Sequence, residues 1–259
     1  VAQAQEHSGL LMNDEVYSII FDNPTEYQIF KNKEKDSTAI LKLLVASGTQ
    51  YNEKEIAEIV YQLDSITSAL AAKRGEFKNP KKWLRWVFSY SQENYLRHYE
   101  AYQPLSLLLT KGIFNCVSGT AFYAIVMKKA GVSYQIKETL YHAYLTVQLD
   151  KKSYIIESTL PIYGLKRNIK HLERHLYVSN EQDFIQPITL QQLCALQYYN
   201  DAVTNFNAKD YNKAFTCLVR AGMLYDSERV TNLLQLTLSC SPKDLNKYIP
   251  ASLAQKLRQ

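Results

Sequence analysis

Between Cys116 and Glu157 the spacing of the apolar residues changes, and this limits the fold more than any other feature of the chain. Residues 116 to about 129 place Val117, Phe122, Ile125 and Val126 at helical intervals, then end on Lys128-Lys129 and a stopping Gly131. From Val132 to Ile136 the pattern reads as a first strand. His142 opens a second, in which Tyr144, Thr146 and Gln148 alternate with Leu145, Val147 and Leu149. Asp150-Lys151-Lys152 is a polar turn, and Ser153 to Ile156 resumes the strand. One helix followed by short, closely connected strands predicts an α+β chain, with the helix packed on an antiparallel sheet.

The same stretch carries three residues of complementary chemistry. Cys116 opens the helix behind Asn115, a good N-cap type. In a first turn, unpaired backbone N–H groups and the helix dipole favour a thiolate, and the same groups could cradle an oxyanion. A lone cysteine is more often a buried structural residue. Here His142 and Glu157 follow it, in the order nucleophile, base and orienting acid. The midpoint of His142 and Glu157 falls between Leu149 and Asp150, slightly before the centre of the turn residues. Direct opposition of the two side chains would require an earlier reversal or a bulge. Gln103 and Asn115 are oxyanion-hole candidates by type.

FNCVSGTAFYAIVMKKAG followed by YHAYLTVQLDKKSYIIESTL resembles the core of the bacterial transglutaminase-like superfamily. The resemblance is strongest over roughly residues 110 to 165. Its pattern is a Cys opening a helix, a His followed by a small residue and an aromatic, and an acid followed closely by Thr. Cys116, His142 and Glu157 stand on those three positions; Ala143-Tyr144 replaces a frequent Ala-Trp, and Glu157-Ser158-Thr159 a frequent Asp-Pro-Thr. The resemblance implies a papain-like core with Cys116, His142 and Glu157 as catalytic residues. It further implies amide acyl chemistry through a thioester, as hydrolysis or transfer, with no cofactor and no metal. The substrate would be a peptide or protein. The alternative is a binding or assembly module that keeps the fold without the reaction.

The rest of the chain divides into an N-terminal arm (1–13), a helical region (14–103), the core (104–188) and a helical, tetratricopeptide-like segment (189–259). In the helical region, Val16 to Ile20 and Ala39 to Leu44 read as short helices. Residues 52 to 72 form the clearest helix, with Ile56, Ile59, Val60, Leu63, Ile66 and Leu70 in phase behind a capping Asn52. Pro80 starts another that runs through Trp83 and Trp86 toward Tyr99. In the last segment, Ala202, Ala214, Leu218 and Ala221 let paired helices approach closely, as in one tetratricopeptide repeat. A free-standing solenoid needs at least three repeats. One such unit fits packing on the core or offering a surface to a protein partner. Leu245 to Leu257 reads as a short C-terminal helix.

Other functions are disfavoured on composition and spacing. The net charge of +5 is mild and calls for neither nucleic acid nor membrane. Lys73-Arg74, Lys78, Lys81-Lys82 and Arg85 lie among Phe77, Trp83 and Trp86, a mixture a nucleic-acid surface would use. It reads instead as a helix end and a helix start with buried tryptophans. No apolar run reaches about 18 residues, so no membrane span is expected. The four cysteines form no Cys-x-x-Cys pair, which argues against a zinc cage; a disulfide among Cys194, Cys217 and Cys240 stays open. His171 and His175 would share a helix face, but no third ligand stands near. Ala2-Gln3-Ala4 resembles the end of a secretory signal. If it is one, the expected location is periplasmic or secreted, and otherwise cytoplasmic.

Overall fold

The computed structural model describes residues 14–21, 23–32, 34–160, 165–166, 185–242 and 244–257. The arm, Ala2-Gln3-Ala4, His171 and His175 lie outside them. Three short helices, α1 (Asp14–Ile20), α2 (Pro24–Lys31) and α3 (Ser37–Ala46), lead to α4 (Glu53–Ala72) and α5 (Pro80–Asn94). α4 starts where expected: Asn52 Oδ1 accepts from the amide of Glu55, and Glu55 Oε2 accepts from that of Asn52. α5 starts on Pro80, whose missing N–H costs nothing in a first turn. It stops at Asn94, short of Tyr99. The chain then forms β1 (His98–Tyr99), which pairs in parallel with β2 (Ile113–Phe114) across α6 (Leu105–Lys111). Gly112, at φ 71°, supplies the left-handed residue that ends α6 and leads directly into β2.

α7 (Cys116–Lys129) is the central helix, and every residue from Val117 to Met127 is buried. It packs on β3 (Tyr134–Glu138), β4 (Ala143–Leu149) and β5 (Lys152–Ile156). With β6 (Leu165–Lys166) and β7 (Gln186–Ile188) these form a five-stranded antiparallel sheet in the order β6-β5-β4-β3-β7. The α+β class and the helix on an antiparallel sheet therefore hold. β3 begins two residues later than its sequence pattern, because the amide of Val132 bonds back to Met127 O and belongs to the end of α7. β4 is central in the sheet, and only Gln148 of its residues is exposed, so its expected half-polar alternation gives way to burial on both faces.

α8 (Leu190–Asn207), α9 (Tyr211–Leu224), α10 (Glu228–Cys240) and α11 (Ala251–Lys256) complete the chain. Ala202, Ala214 and Ala221 are fully buried where α8 and α9 pair. Gly222 leaves room for Leu253, which would lie 2.5 Å from an added Cβ. The expected last helix is split by Pro250 into a 3₁₀ turn (Asn246–Tyr248) and α11. One cluster of buried apolar side chains runs from Ile20 through α7 to Leu253, so core packing joins all these elements. Full burial of a Leu, Ile or Phe contributes about 1.5–3 kcal/mol. All four cysteines are free thiols; Cys194 and Cys217 are buried and Cys240 is exposed. No helix among the described residues is long and apolar enough to cross a membrane.

A second link between the helical ends is polar. Arg220 on α9 pairs with Glu26 on α2 at 3.2 Å and donates through Nε to Ile20 O at 2.9 Å. The hydroxyl of Tyr198 donates to Glu26, and that of Ser47 to Asp201. Gly48, at φ 70°, lets the backbone lie against Asp201; a Cβ there would be 2.7 Å from Oδ1. Burial is the main cause that raises the Asp201 carboxyl to about 7.

Candidate active site

Cys116 sits at the first position of α7, partly buried. The helix start is fixed by a reciprocal pair: Asn115 Oδ1 accepts from the Ser118 amide at 2.8 Å, and Ser118 Oγ accepts from the Asn115 amide at 2.9 Å. Asn115 Nδ2 donates to Gln103 O, and Gln103 Nε2 donates to Glu100 Oε1. Both oxyanion candidates chosen by residue type thus spend their amide groups on structure. The first-turn amides of Cys116 and Val117 have no intrahelical acceptor and point out of the helix end. They are better placed to meet an anion there than either side chain.

His142 follows the two-residue tip of the β3–β4 hairpin, which is closed by the Thr139 amide donating to His142 O at 2.8 Å. Its Nε2 lies 2.5 Å from Glu157 Oε2. Cys116 is near enough to the ring to influence its titration, and Glu157 occupies Nε2. The structure brings the three expected residues together. It does so without the direct opposition of His142 and Glu157. Asp150 and Lys151, at φ 49° and 60°, make a two-residue reversal that pairs Leu149 with Lys152 and Leu145 with Ile156. Continued one step, that register sets Glu157 opposite Tyr144, two residues along from His142 on the same face. The glutamate arm spans the offset diagonally, with neither an earlier turn nor a bulge.

Glu157 is completely buried. Its Oε1 accepts from the amide of Thr159 at 3.0 Å and from its hydroxyl at 2.7 Å. With Oε2 on His142, both oxygens of the buried carboxylate have hydrogen-bond partners. Burial alone would lower the pKa of His142. The charge of Glu157 and hydrogen bonds from Cys116 and Glu157 outweigh it and push the imidazole up to about 10. At neutral pH His142 therefore carries its proton, a cation set between a carboxylate and a sulfur.

Two supports were not apparent from residue type. Gly119 lets α7 pass against the chain after β5: a Cβ on it would meet Ser158 Oγ at 2.5 Å and Ser158 Cβ at 2.6 Å. A glycine inside a helix, where alanine is more stable, was the available signal. Gln92 on α5 holds the same place by donating to Ser158 O at 2.9 Å. The second support is Arg229 on α10. Its Nη2 donates to Thr139 O at 2.5 Å and Leu140 O at 2.6 Å, and lies 3.3 Å from the buried Glu138. Tyr225 donates to Glu138 Oε2 at 2.7 Å. The C-terminal helices thereby clamp the hairpin that ends in His142.

Elsewhere the surface offers less. A cleft of about 660 Å³ lies at the far end of α7, between Ala71, Arg74, Phe77 and Lys129. Its cations are engaged, Arg74 with Ala130 O and Lys129 with Asp64. Of the two tryptophans in the basic stretch, Trp83 is fully buried, while Trp86 is half-buried and stacks with Tyr90 at 5.1 Å. Among the described residues no group of three or more His, Cys, Asp or Glu is placed to hold a metal. No protein-family model, no curated protein and no solved structure matches the chain.

Proposed function

We propose that this protein is a cysteine-dependent amide hydrolase or acyl transferase with a transglutaminase-like core, acting on a peptide or protein amide. The observation that carries this reading is His142 held by a buried Glu157 beside Cys116, which opens a capped helix N-terminus. A neighbouring cation and the first-turn amides both stabilise a thiolate at Cys116. The sulfur attacks the amide carbon, and the carbonyl oxygen takes up negative charge beside the helix end. As the C–N bond breaks, the His142 proton goes to the departing nitrogen, leaving an acyl thioester and a free amine. Neutral His142 then takes a proton from water or an amine as it attacks the thioester. The C–S bond breaks, and thiolate and imidazolium are restored. Glu157, fixed by Thr159, holds the ring in one orientation through both steps.

The test is alkylation by iodoacetamide across pH, read by intact mass. Cys240 is an exposed thiol in the same molecule and serves as the internal reference. At pH 6 Cys116 is expected to react faster than Cys240 although it is less exposed. Labelling of Cys116 no faster than Cys240 would overturn the activated-nucleophile reading.

A further inference from the structure

Eight large apolar side chains among the described residues are exposed, and four of them flank the candidate site: Tyr99, Tyr102, Leu140 and Tyr141. They come from two short segments that meet at the sulfur. Tyr99 is paired in register with Phe114, two residues before Cys116, and its ring meets that of Phe114 edge-on at 6.0 Å. Tyr102 is held at φ 63°, a left-handed conformation a tyrosine rarely adopts, one residue before the Gln103 carbonyl that binds Asn115. Backbone of this kind collects at ligand-binding sites. Leu140 and Tyr141 are the hairpin tip directly before His142, and Tyr141 is 79% exposed. The hairpin tip is fixed from α10: Arg229 donates to Leu140 O, and its guanidinium lies over the ring of half-buried Tyr199 at 5.7 Å.

Arg229 is spent on Glu138 and two carbonyls, while Glu100, exposed beside Gln103, keeps its negative charge. His98 is exposed on β1. The two lips thus offer mainly ring faces and hydroxyls, and their one carboxylate repels an acidic side chain. We propose that Tyr99, Tyr102, Leu140 and Tyr141 form a docking rim for an extended peptide, selecting amides flanked by an aromatic or other large apolar residue. A chain laid between the lips presents its carbonyl to Cys116 and stacks its neighbouring side chain on the rings. This rests on the nucleophile reading above and adds the substrate class.

The experiment uses four peptide acyloxymethyl ketones, Ac-Phe-Gly, Ac-Gly-Gly, Ac-Glu-Gly and Ac-Lys-Gly, on the full chain. The cysteine sulfur displaces the carboxylate of each and forms a thioether. Rates are read by intact mass and divided by the iodoacetamide rate of the same protein, since iodoacetamide has no side chain to dock. The Phe probe is expected to exceed the Gly, Glu and Lys probes by about tenfold, equivalent to about 1.4 kcal/mol. Tyr99→Ala and Tyr141→Ala should each remove most of that advantage, with unchanged thermal midpoints because both side chains are exposed. Equal ratios, a preference for Glu or Lys, or a Phe preference that survives both substitutions would overturn the rim. If Cys116 proves no more reactive than Cys240, the nucleophile reading fails by itself. Binding of Ac-Gly-Phe-Gln-Gly-amide and Ac-Gly-Glu-Gln-Gly-amide to the Cys116→Ala protein then decides the rim: tighter binding of the Phe peptide sustains it, and equal binding overturns it.

Discussion

Of the places where the described residues bury carboxylates, the one around Glu26 and Asp201 and the one around Glu157 are built for different ends. Around Glu26 and Asp201, the partners Arg220, Tyr198 and Ser47 are themselves buried, and the groups join α2 and α3 to α8 and α9. Around Glu157, the chain of contacts runs outward: Thr159 fixes the carboxylate, the carboxylate fixes His142, and His142 reaches the partly exposed Cys116. The first arrangement closes on itself and can only hold helices together. The second ends on a partly exposed free thiol. A buried acid is therefore informative about chemistry only when its hydrogen bonds lead toward solvent.

The contrast is sharpest in substitutions of the two acids. Glu157→Gln is expected to lower turnover of any amide substrate by about 10²–10⁴-fold. It also removes the charge that keeps His142 protonated. Alkylation of Cys116 at pH 6 should then slow. Asp201→Asn should leave that alkylation profile where it is and change stability instead. The Asp201 carboxyl is raised from 3.8 to about 7 in the folded chain. Between those values the unfolded chain has released the proton that the folded chain keeps. Stability present below pH 3.8 is thus lost as pH rises through 7, by at most about 4 kcal/mol. Urea titrations at about pH 4 and pH 6.5, below the window in which His142 acts, should show most of that fall in the wild type and little of it in Asp201→Asn. His142 acts with the same sign in a higher window, from its ordinary 6.5 to about 10, so titration at pH 10 separates the two.

Two smaller changes probe the supports. Gly119→Ala forces Ser158 away from α7 and should cost about 1–3 kcal/mol, with slower alkylation of Cys116 as Glu157 shifts. A stability loss with unchanged alkylation would show that the close approach serves packing alone. At the bottom of the scale, Lys54→Ala breaks an exposed pair with Glu58 at 3.8 Å and should change stability by less than about 0.5 kcal/mol, with no effect at either acid.

The sequence was most readable where local chemistry and period coincide. Asn115 before an apolar helix, His142 at the head of an alternating run and Glu157 at the end of the next are each recognisable within a few residues. The diagonal offset of His142 and Glu157 was not, because it depends on which two residues of the Asp150-Lys151-Lys152 turn take the left-handed positions and so set the register. The parallel pairing of His98–Tyr99 with Ile113–Phe114 gives no periodic signal in two residues, so α5 read on to Tyr99. The links from Glu26 to Tyr198 and from Thr139 to Arg229 span 172 and 90 residues. No local pattern can encode such pairings; they arise when helices dock.

The Arg229 clamp also sets an order on synthesis. Cys116, His142 and Glu157 all leave the ribosome before the helix whose guanidinium fastens the Thr139–Leu140 carbonyls. During translation the chain holds all three side chains while the hairpin tip before His142 still lacks its clamp, which comes only with α10.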